Sequence, residues 1–362
     1  MAPAVPQPPA PATLLWYDPT EGDNDIALSK DGRYVAVASP SGVEFYDRTS
    51  GMPKTPVWTY SAGGEFLSVA ISADGGCVAA GNRSRVCFWK NAGSSTGTPD
   101  PTWSTVSLGP IEYRSLDISN DGSYVVASGT GDSVYYWGDA KGIPSGTTNV
   151  ATTWEYHFGY HFARVHAVDL SSDGNYVVAG TNYDVGLGYA AVAYWKNAKL
   201  LTGHSLPNWN STEPDSNDVI DVAVSDDGNY VAAAATADTV YYWADAESRT
   251  GMDEPSTWYG GWGVQFTSLD MSSEGDKVIA GAGTGAYFWT GARSLHGKPQ
   301  DPSWTYDTLG YVWDVAINAA GDYLAAADGM RYVYFLDGSG SLKWQYGPLD
   351  NTPFVLSISS DG

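Results

Sequence analysis

The fold class this sequence predicts is an all-β propeller, a ring of four-stranded antiparallel blades. Three observations predict it. A Trp-bearing segment returns eight times, from LLWYD and PVWTY through PTWST, TTWEY, PNWNS, STWYG and PSWTY to LKWQY. Its tryptophans, Trp16, Trp58, Trp103, Trp154, Trp209, Trp258, Trp304 and Trp344, lie about 40 to 55 residues apart. A turn of the I-S-x-D-G type also returns eight times, from ALSKDG (27–32) to SISSDG (357–362). The composition is that of strands and turns, with 14% aromatic residues and 42 Gly. A period of this size built from short β runs marks a propeller, because one four-stranded sheet cannot bury both its faces alone.

Each unit reads as four strands. Strand a leads into the turn, where Asp-Gly between two β runs is a hairpin signal: Gly accepts positive φ and Asp tolerates it. Strand b is a small-residue run (YVAVAS, CVAAGN, YVVASG, YVVAGT, YVAAAA, KVIAGA, YLAAAD), suited to a sheet packed on both faces. Strand c is aromatic (VEFYD, VCFWK, VYYWG, VAYWK, VYYWA, AYFWT, VYFLD) and carries Trp89, Trp137, Trp195, Trp243 and Trp289. Strand d is the Trp segment. Blades splay outward from the axis, so large rings fill the widening gap between sheets, and these tryptophans read as structural wedges. Only Trp262 and Trp313 fall off the pattern. Eight d and eight a segments but only seven b–c hairpins can be counted, which predicts seven complete blades and a partial eighth. The alternative is a closed seven-bladed ring using the strand around Trp16.

Residues 1–13, MAPAVPQPPAPAT, read as a proline-rich linker, and 14–362 as one propeller domain apparently cut short inside its last repeat. Eighteen Lys and Arg against 41 Asp and Glu leave a formal charge of −23. This balance argues against nucleic acid and anionic membranes. It leaves cations, basic proteins and neutral glycans as admissible partners. No run of about 18 apolar residues exists, so no membrane insertion is expected within the chain.

The I-S-x-D-G-x-Y-V-A phrase and the strand c Trp resemble WD-repeat and YVTN-type β-propellers across essentially 14–362. No Gly-His dipeptide precedes strand a, and Asp after Trp is mostly absent, unlike true WD repeats. LDGSGSLKWQYGP (336–348) instead looks like a quinoprotein (PQQ-type) repeat. The resemblance implies a rigid interaction platform, by analogy of fold alone.

Cys77 opens strand b and Cys87 lies in strand c of the same unit, at positions aligned with Tyr124/Tyr135 and Tyr230/Tyr241. Read as a cross-strand pair, directly opposed residues about 4.5–5.5 Å apart are within disulfide reach. His157, His161 and His166 cluster in WEYHFGYHFARVH, but alternation across strand d, loop and strand a scatters the rings. Asp117, Asp169 and Asp270 recur at one strand a position, expected to pair with backbone N–H groups of a neighbouring blade; a cation-holding ring is the alternative.

The d–a and b–c connections should share one face of the disc, and loops on a rigid scaffold carry binding function. The candidates there are Glu65, Tyr113, Arg114, Tyr160, His161, Arg164, Trp262, Tyr311, Trp313 and Arg331. Asn82 and Asn210 head glycosylation sequons. No nucleophile elbow, zinc-protease, phosphate-loop or EF-hand motif is present, and no catalytic residue, metal or cofactor is assigned. The expected function is a non-enzymatic secreted or cell-surface propeller that binds a protein or glycan through this face. The alternatives are a propeller enzyme (lyase, hydrolase or quinoprotein-like) centred on the axial channel, and an intracellular scaffold resembling WD-repeat proteins.

Overall fold

Seven sheets follow one another along the chain, each built on four antiparallel strands in the order a-b-c-d, with a short parallel strand (Thr147–Val150 and Gly203–His204) added at the outer edge of the second and third. The computed structural model describes residues 24–50, 55–105, 115–129, 132–159, 164–182, 191–213, 218–236, 238–261, 263–297 and 299–362. Blade 1 comprises Asp25–Leu28, Tyr34–Ser39, Gly42–Asp47 and Trp58–Tyr60. Blades 2 to 6 repeat the arrangement with strands a at Phe66–Ile71, Leu116–Ile118, Val165–Leu170, Val219–Val224 and Phe266–Met271. Blade 7 comprises Val312–Ile317, Tyr323–Asp328, Val333–Asp337 and Leu342–Tyr346. Its outer strand is therefore the one around Trp344. The segment around Trp16 lies outside the described residues.

The seven complete blades agree with the sequence. The partial eighth blade is not seen as a sheet, because residues 347–362 contain no strand. The quinoprotein-like stretch forms the c–d hairpin of blade 7, paired from Val333 with Tyr346 to Leu336 with Leu342.

The core lies between blades rather than inside one layer. Ala36, Ala38, Phe45 and Trp58 of blade 1 pack on Phe66, Val78, Ala80 and Trp89 of blade 2, and similar clusters join each later pair up to blade 7. Strand b is small because it is covered on both sides: Val231 to Ala235 are all fully buried. The strand d tryptophans cross the gap. Trp58, Trp103, Trp154, Trp209, Trp258 and Trp304 each donate Nε1–H to a carbonyl of the next blade, at Ala92, Ala140, Ala198, Ala246, Ala292 and Gly338, over 2.9–3.1 Å. The wedge reading of these rings holds.

The turn glycines have a second use beyond positive φ. Gly228, at φ 73°, lies against the Tyr176 ring of the preceding blade, and a Cβ there would come within 2.2 Å of it. Only Gly permits both the turn and the close stacking of blades.

The Cys77–Cys87 disulfide is a correction. Both thiols are free and buried. Cys77 lies opposite Lys90, and Cys87 opposite Ala80. An offset of three residues puts them on opposite faces of the sheet. Cys77 packs toward blade 3 and Cys87 toward blade 1. The tyrosine pairs used for alignment are not directly opposed either: Tyr230 faces Ala244, and Tyr241 faces Ala233. Burial pushes the Cys77 thiol up to about 11 and the Cys87 thiol up to about 12, so both are poor nucleophiles in the native state. Denaturing the unreduced protein in the presence of a thiol reagent should release two titratable thiols per chain; none would restore the bridge.

Candidate interaction face

Strand a, running from the d–a connection to the D-G turn, brings a ring of carboxylates to the axis. Asp25, Asp117, Asp169 and Asp221 line a cavity of about 310 Å³ there, with Val69, Leu116 and Ser357. Each carboxylate reaches the next blade. Asp117 accepts from Leu170 N–H (3.1 Å), Asp169 from Val224 N–H (2.7 Å), Asp221 from Leu269 N–H (2.8 Å) and Asp270 from Ile317 N–H (2.8 Å). Asp25 accepts from Val69 N–H (2.9 Å) and the Ser68 hydroxyl (3.1 Å). The expected pairing of Asp117, Asp169 and Asp270 with backbone N–H groups is thus present. Burial holds Asp117 up at about 6 and Asp221 and Asp270 up at about 7. Asp169 is raised well above its ordinary value by burial, with the neighbouring Asp117 charge adding to it. These carboxylates fasten blades together. Among the described residues no group of three His, Cys, Asp or Glu is placed to hold a metal ion.

The two described histidines of the stretch stand on different blades. His157 on strand d of blade 3 meets the Ser133 hydroxyl at 2.6 Å and stacks on His204, with centroids 5.9 Å apart. His166 is a half-buried residue of strand a in blade 4, and His161 lies outside the described residues.

The d–a and b–c connections of blade 7, the start of its strand a and the segment after its strand d build an aromatic and aliphatic patch on the loop face. Trp313 is 40% exposed, Phe354 45%, Met330 58% and Leu309 60%. Trp313 sits between Tyr311 and Phe354, with ring centroids 5.2 and 5.4 Å away. Asp328, fully buried at the end of strand b, organises both loops. Its Oδ1 accepts from Met330 and Tyr332 N–H, and its Oδ2 from Gly310 N–H and the Tyr334 hydroxyl, all at 2.9–3.0 Å. Gly329 N–H donates to Tyr311 O at 2.8 Å, tying the b–c turn to the d–a loop. Arg331 adopts φ 72° and reaches Asp350 O at 3.2 Å. A non-Gly residue in this region is held by its surroundings. Leu309 and Met330 are therefore presented by a braced loop pair.

Of the sequence candidates, Tyr311, Trp313 and Arg331 come together here. Glu65 is elsewhere on the ring, paired with Arg83 at 2.8 Å. Arg164 is in blade 4, where its backbone O accepts from Asn182 N–H at 3.1 Å. Tyr113, Arg114, Tyr160, His161 and Trp262 lie outside the described residues. Asn82 is buried and donates to Gly63 O at 2.9 Å while its Oδ1 accepts from Ser84 and Arg85 N–H; a glycan has no room on it. Asn210 is half-buried and accepts from Asp253 N–H at 3.1 Å. Sequence reasoning missed Leu309, Asp328, Met330 and Phe354. The one readable sign was YLAAAD, in which an acid replaces the small or polar residue that ends strand b in other units.

The β-propeller domain of Cps50 (Swd1) from Myceliophteria thermophila is similar in structure, with a TM-score of 0.58 at 10% identity, covering 86% of this chain and 94% of that one. A chain of the mitotic checkpoint complex matches with a TM-score of 0.62 at 17% identity over 87% and 90%. The WD40 β-propeller domain of Doa1 matches at 0.56 and 14% over 87% and 92%. At these identities the likeness is one of fold: the chain is a seven-bladed β-propeller, and a quinoprotein character finds no support. No family model and no curated protein matches the sequence.

Proposed function

We propose that this chain is a non-enzymatic protein-interaction scaffold whose partner docks on the blade 7 end of the loop face, with Trp313 as anchor. The observation that carries the reading is the exposed set Leu309, Trp313, Met330 and Phe354 around the half-buried Tyr311, with the loops of Leu309 and Met330 held by the buried Asp328. Exposed aromatics beside aliphatic side chains and one Arg match the composition of protein-binding cores. The aliphatic members favour a protein over the glycan weighed from the sequence. The similar WD40 propellers support a scaffold, and the axial carboxylates, each engaged by a neighbouring blade, offer no free acid–base pair to an enzyme reading.

Of the locations weighed from the sequence, we carry forward the intracellular scaffold. Both cysteines are free thiols, which suits a reducing compartment, and the Asn82 sequon is buried.

Trp313→Ala and Phe354→Ala tested beside wild type separate recognition from packing. A protein retained from a native lysate by wild type, lost by both variants at unchanged melting temperature, and kept by a variant on the opposite face (Lys141→Ala) supports the site. A fall of several degrees with retention intact would make these rings packing residues.

A further inference from the structure

The outer edge of strand d is covered in blades 1 to 5 by the connection between strands c and d of the following blade. In blade 1, Gly97 N–H donates to Val57 O (3.1 Å) and Thr59 N–H donates to Gly97 O (2.9 Å). Gly146 N–H reaches Thr102 O of blade 2 at 2.8 Å, and Gly203 N–H reaches Thr153 O of blade 3 at 3.0 Å. Gly251 N–H reaches Asn208 O of blade 4 at 2.9 Å, and Gln300 N–H reaches Tyr259 O of blade 5 at 2.8 Å. All five covers run parallel to the strand they pair with. These bonds use the carbonyl of the residue before the strand d Trp, and the N–H or carbonyl of the residue after it.

Blade 6 lacks this cover. The connection in the matching place, between strands c and d of blade 7, is a tight turn closed by Gly340 N–H to Asp337 O at 2.8 Å. To strand d of blade 6 it offers Gly338 O, which accepts from Trp304 Nε1–H at 3.1 Å. The side chain that holds the cover elsewhere has changed too. Trp89, Trp195, Trp243 and Trp289 of strand c donate Nε1–H to Pro99, Ser205, Glu254 and Gln300 O at 3.0–3.4 Å. The residue of blade 7 in that position is Leu336. Ser303 O, Thr305 N–H and Thr305 O of blade 6 therefore correspond to groups that are bonded in the other blades. Trp304 is half-buried, whereas Trp58, Trp103, Trp154, Trp209 and Trp258 are fully buried.

We propose that the edge of strand d in blade 6, Trp304–Asp307, binds an extended basic segment of a partner protein by parallel strand addition. The five covers specify the backbone of that segment. Gly97, Gly146, Gly203, Gly251 and Gly297 all have φ between 64° and 108°, so the occupant carries Gly at this position. Charge specifies its flank. The charged side chains from 299 to 307 are Asp301 and Asp307, both exposed, and a parallel segment runs toward Asp307, where Lys or Arg would complement it. Charge also selects a partner over the chain's own residues. Residues 1–23 hold Asp18, Glu21 and Asp23 and no Lys or Arg, and a second copy would bring its own charge of −23. The edge belongs to the outer rim, and the proposal does not rest on the loop-face reading.

The test uses the full chain and a fluorescein-labelled peptide of residues 201–208 (LTGHSLPN) followed by two lysines, read by fluorescence anisotropy. Saturable binding is expected, weakened about tenfold or more by Thr305→Pro, which deletes the N–H matching that of Thr59. Pro is tolerated on an edge strand where its N–H faces away from the sheet, so the melting temperature should hold. Asp307→Lys in the protein, and Val in place of Gly in the peptide, should each weaken binding as well; they decide the matter if Thr305→Pro folds poorly. Gln345→Pro, the matching change in blade 7, should leave binding intact. Absence of saturable binding, or equal binding by Asp307→Lys and by the Val peptide, overturns the proposal. So does binding that Gln345→Pro abolishes and Thr305→Pro spares. Binding that emerges only after removal of residues 1–23 overturns it in favour of the chain's own N-terminal segment. A dimer of the protein alone that Thr305→Pro dissociates overturns it in favour of a second copy.

Discussion

Trp154→Ala should cost about 3–5 kcal/mol of stability, the range for emptying a core site of a large aromatic ring. Trp154 is fully buried, stacks on Tyr136 at 5.1 Å and 15°, and packs on Trp195 of the next blade at 5.6 Å. Its Nε1–H donates to Ala198 O at 3.0 Å, so truncation removes a polar tie between blades as well as apolar contact. Trp344 has the same place in blade 7 but is half-buried, with Phe335 stacked on one side. Trp344→Ala should cost less than half as much, because less surface is taken from water and smaller voids remain. Denaturant midpoints for the two variants measure the difference. Equal losses would show that the surroundings of Trp344 are as well packed as the interior interfaces.

The melting temperature should rise as pH is lowered from 8 to 5. The ordinary Asp value is 3.8, while burial raises Asp117 to about 6, Asp221 and Asp270 to about 7, and Asp169 well above 3.8. Between these limits the native state holds protons that the unfolded chain releases. Stability therefore falls as pH rises from the ordinary value through about 7, and is recovered on acidification. Each tenfold difference in proton affinity is worth about 1.4 kcal/mol, and the four groups act in the same direction. The turn carboxylates Asp31, Asp121, Asp173 and Asp227 act oppositely, being lowered by backbone or side-chain hydrogen bonds that outweigh their burial. Their contribution is present above 3.8 and is lost as pH falls below it, which places the optimum at about pH 4–5. Calorimetry at pH 5 and 8 checks the direction. Asp270→Asn should reduce the slope by close to one titrating group, and a melting temperature that is flat or falls toward pH 5 would refute the assignment.

Much of the fold was legible because it is written in local chemistry repeated seven or more times. The Trp segments, the D-G turns and the small-residue runs each specify a strand or turn by themselves, and their recurrence specifies the stacking. The Asp pairing was legible for the same reason: Asp117, Asp169 and Asp270 share one position. The cysteines were misread because aligned repeats give positions along the chain, whereas pairing depends on hairpin register. Cys77 opposite Lys90 rather than Cys87 is a slip of three residues, enough to reverse the face. The interaction patch was only half legible. Trp313 stood out as a tryptophan off the repeat, but nothing local marks Leu309, Met330 or Phe354 as its neighbours.

By itself, then, the sequence determined the all-β class, the four-strand unit, the seven complete blades and the structural role of the recurring tryptophans. These follow from side-chain alternation and turn chemistry, which act over a few residues. Tertiary structure alone decided three things. It placed Leu342–Tyr346 as the outer strand of blade 7, seated 355–362 between blades 7 and 1, and gathered the loop-face patch around Asp328. Ser360 meets Lys30 across almost the whole chain. Such contacts depend on how many wedge-shaped sheets fit around one axis, and no short stretch of sequence encodes that number.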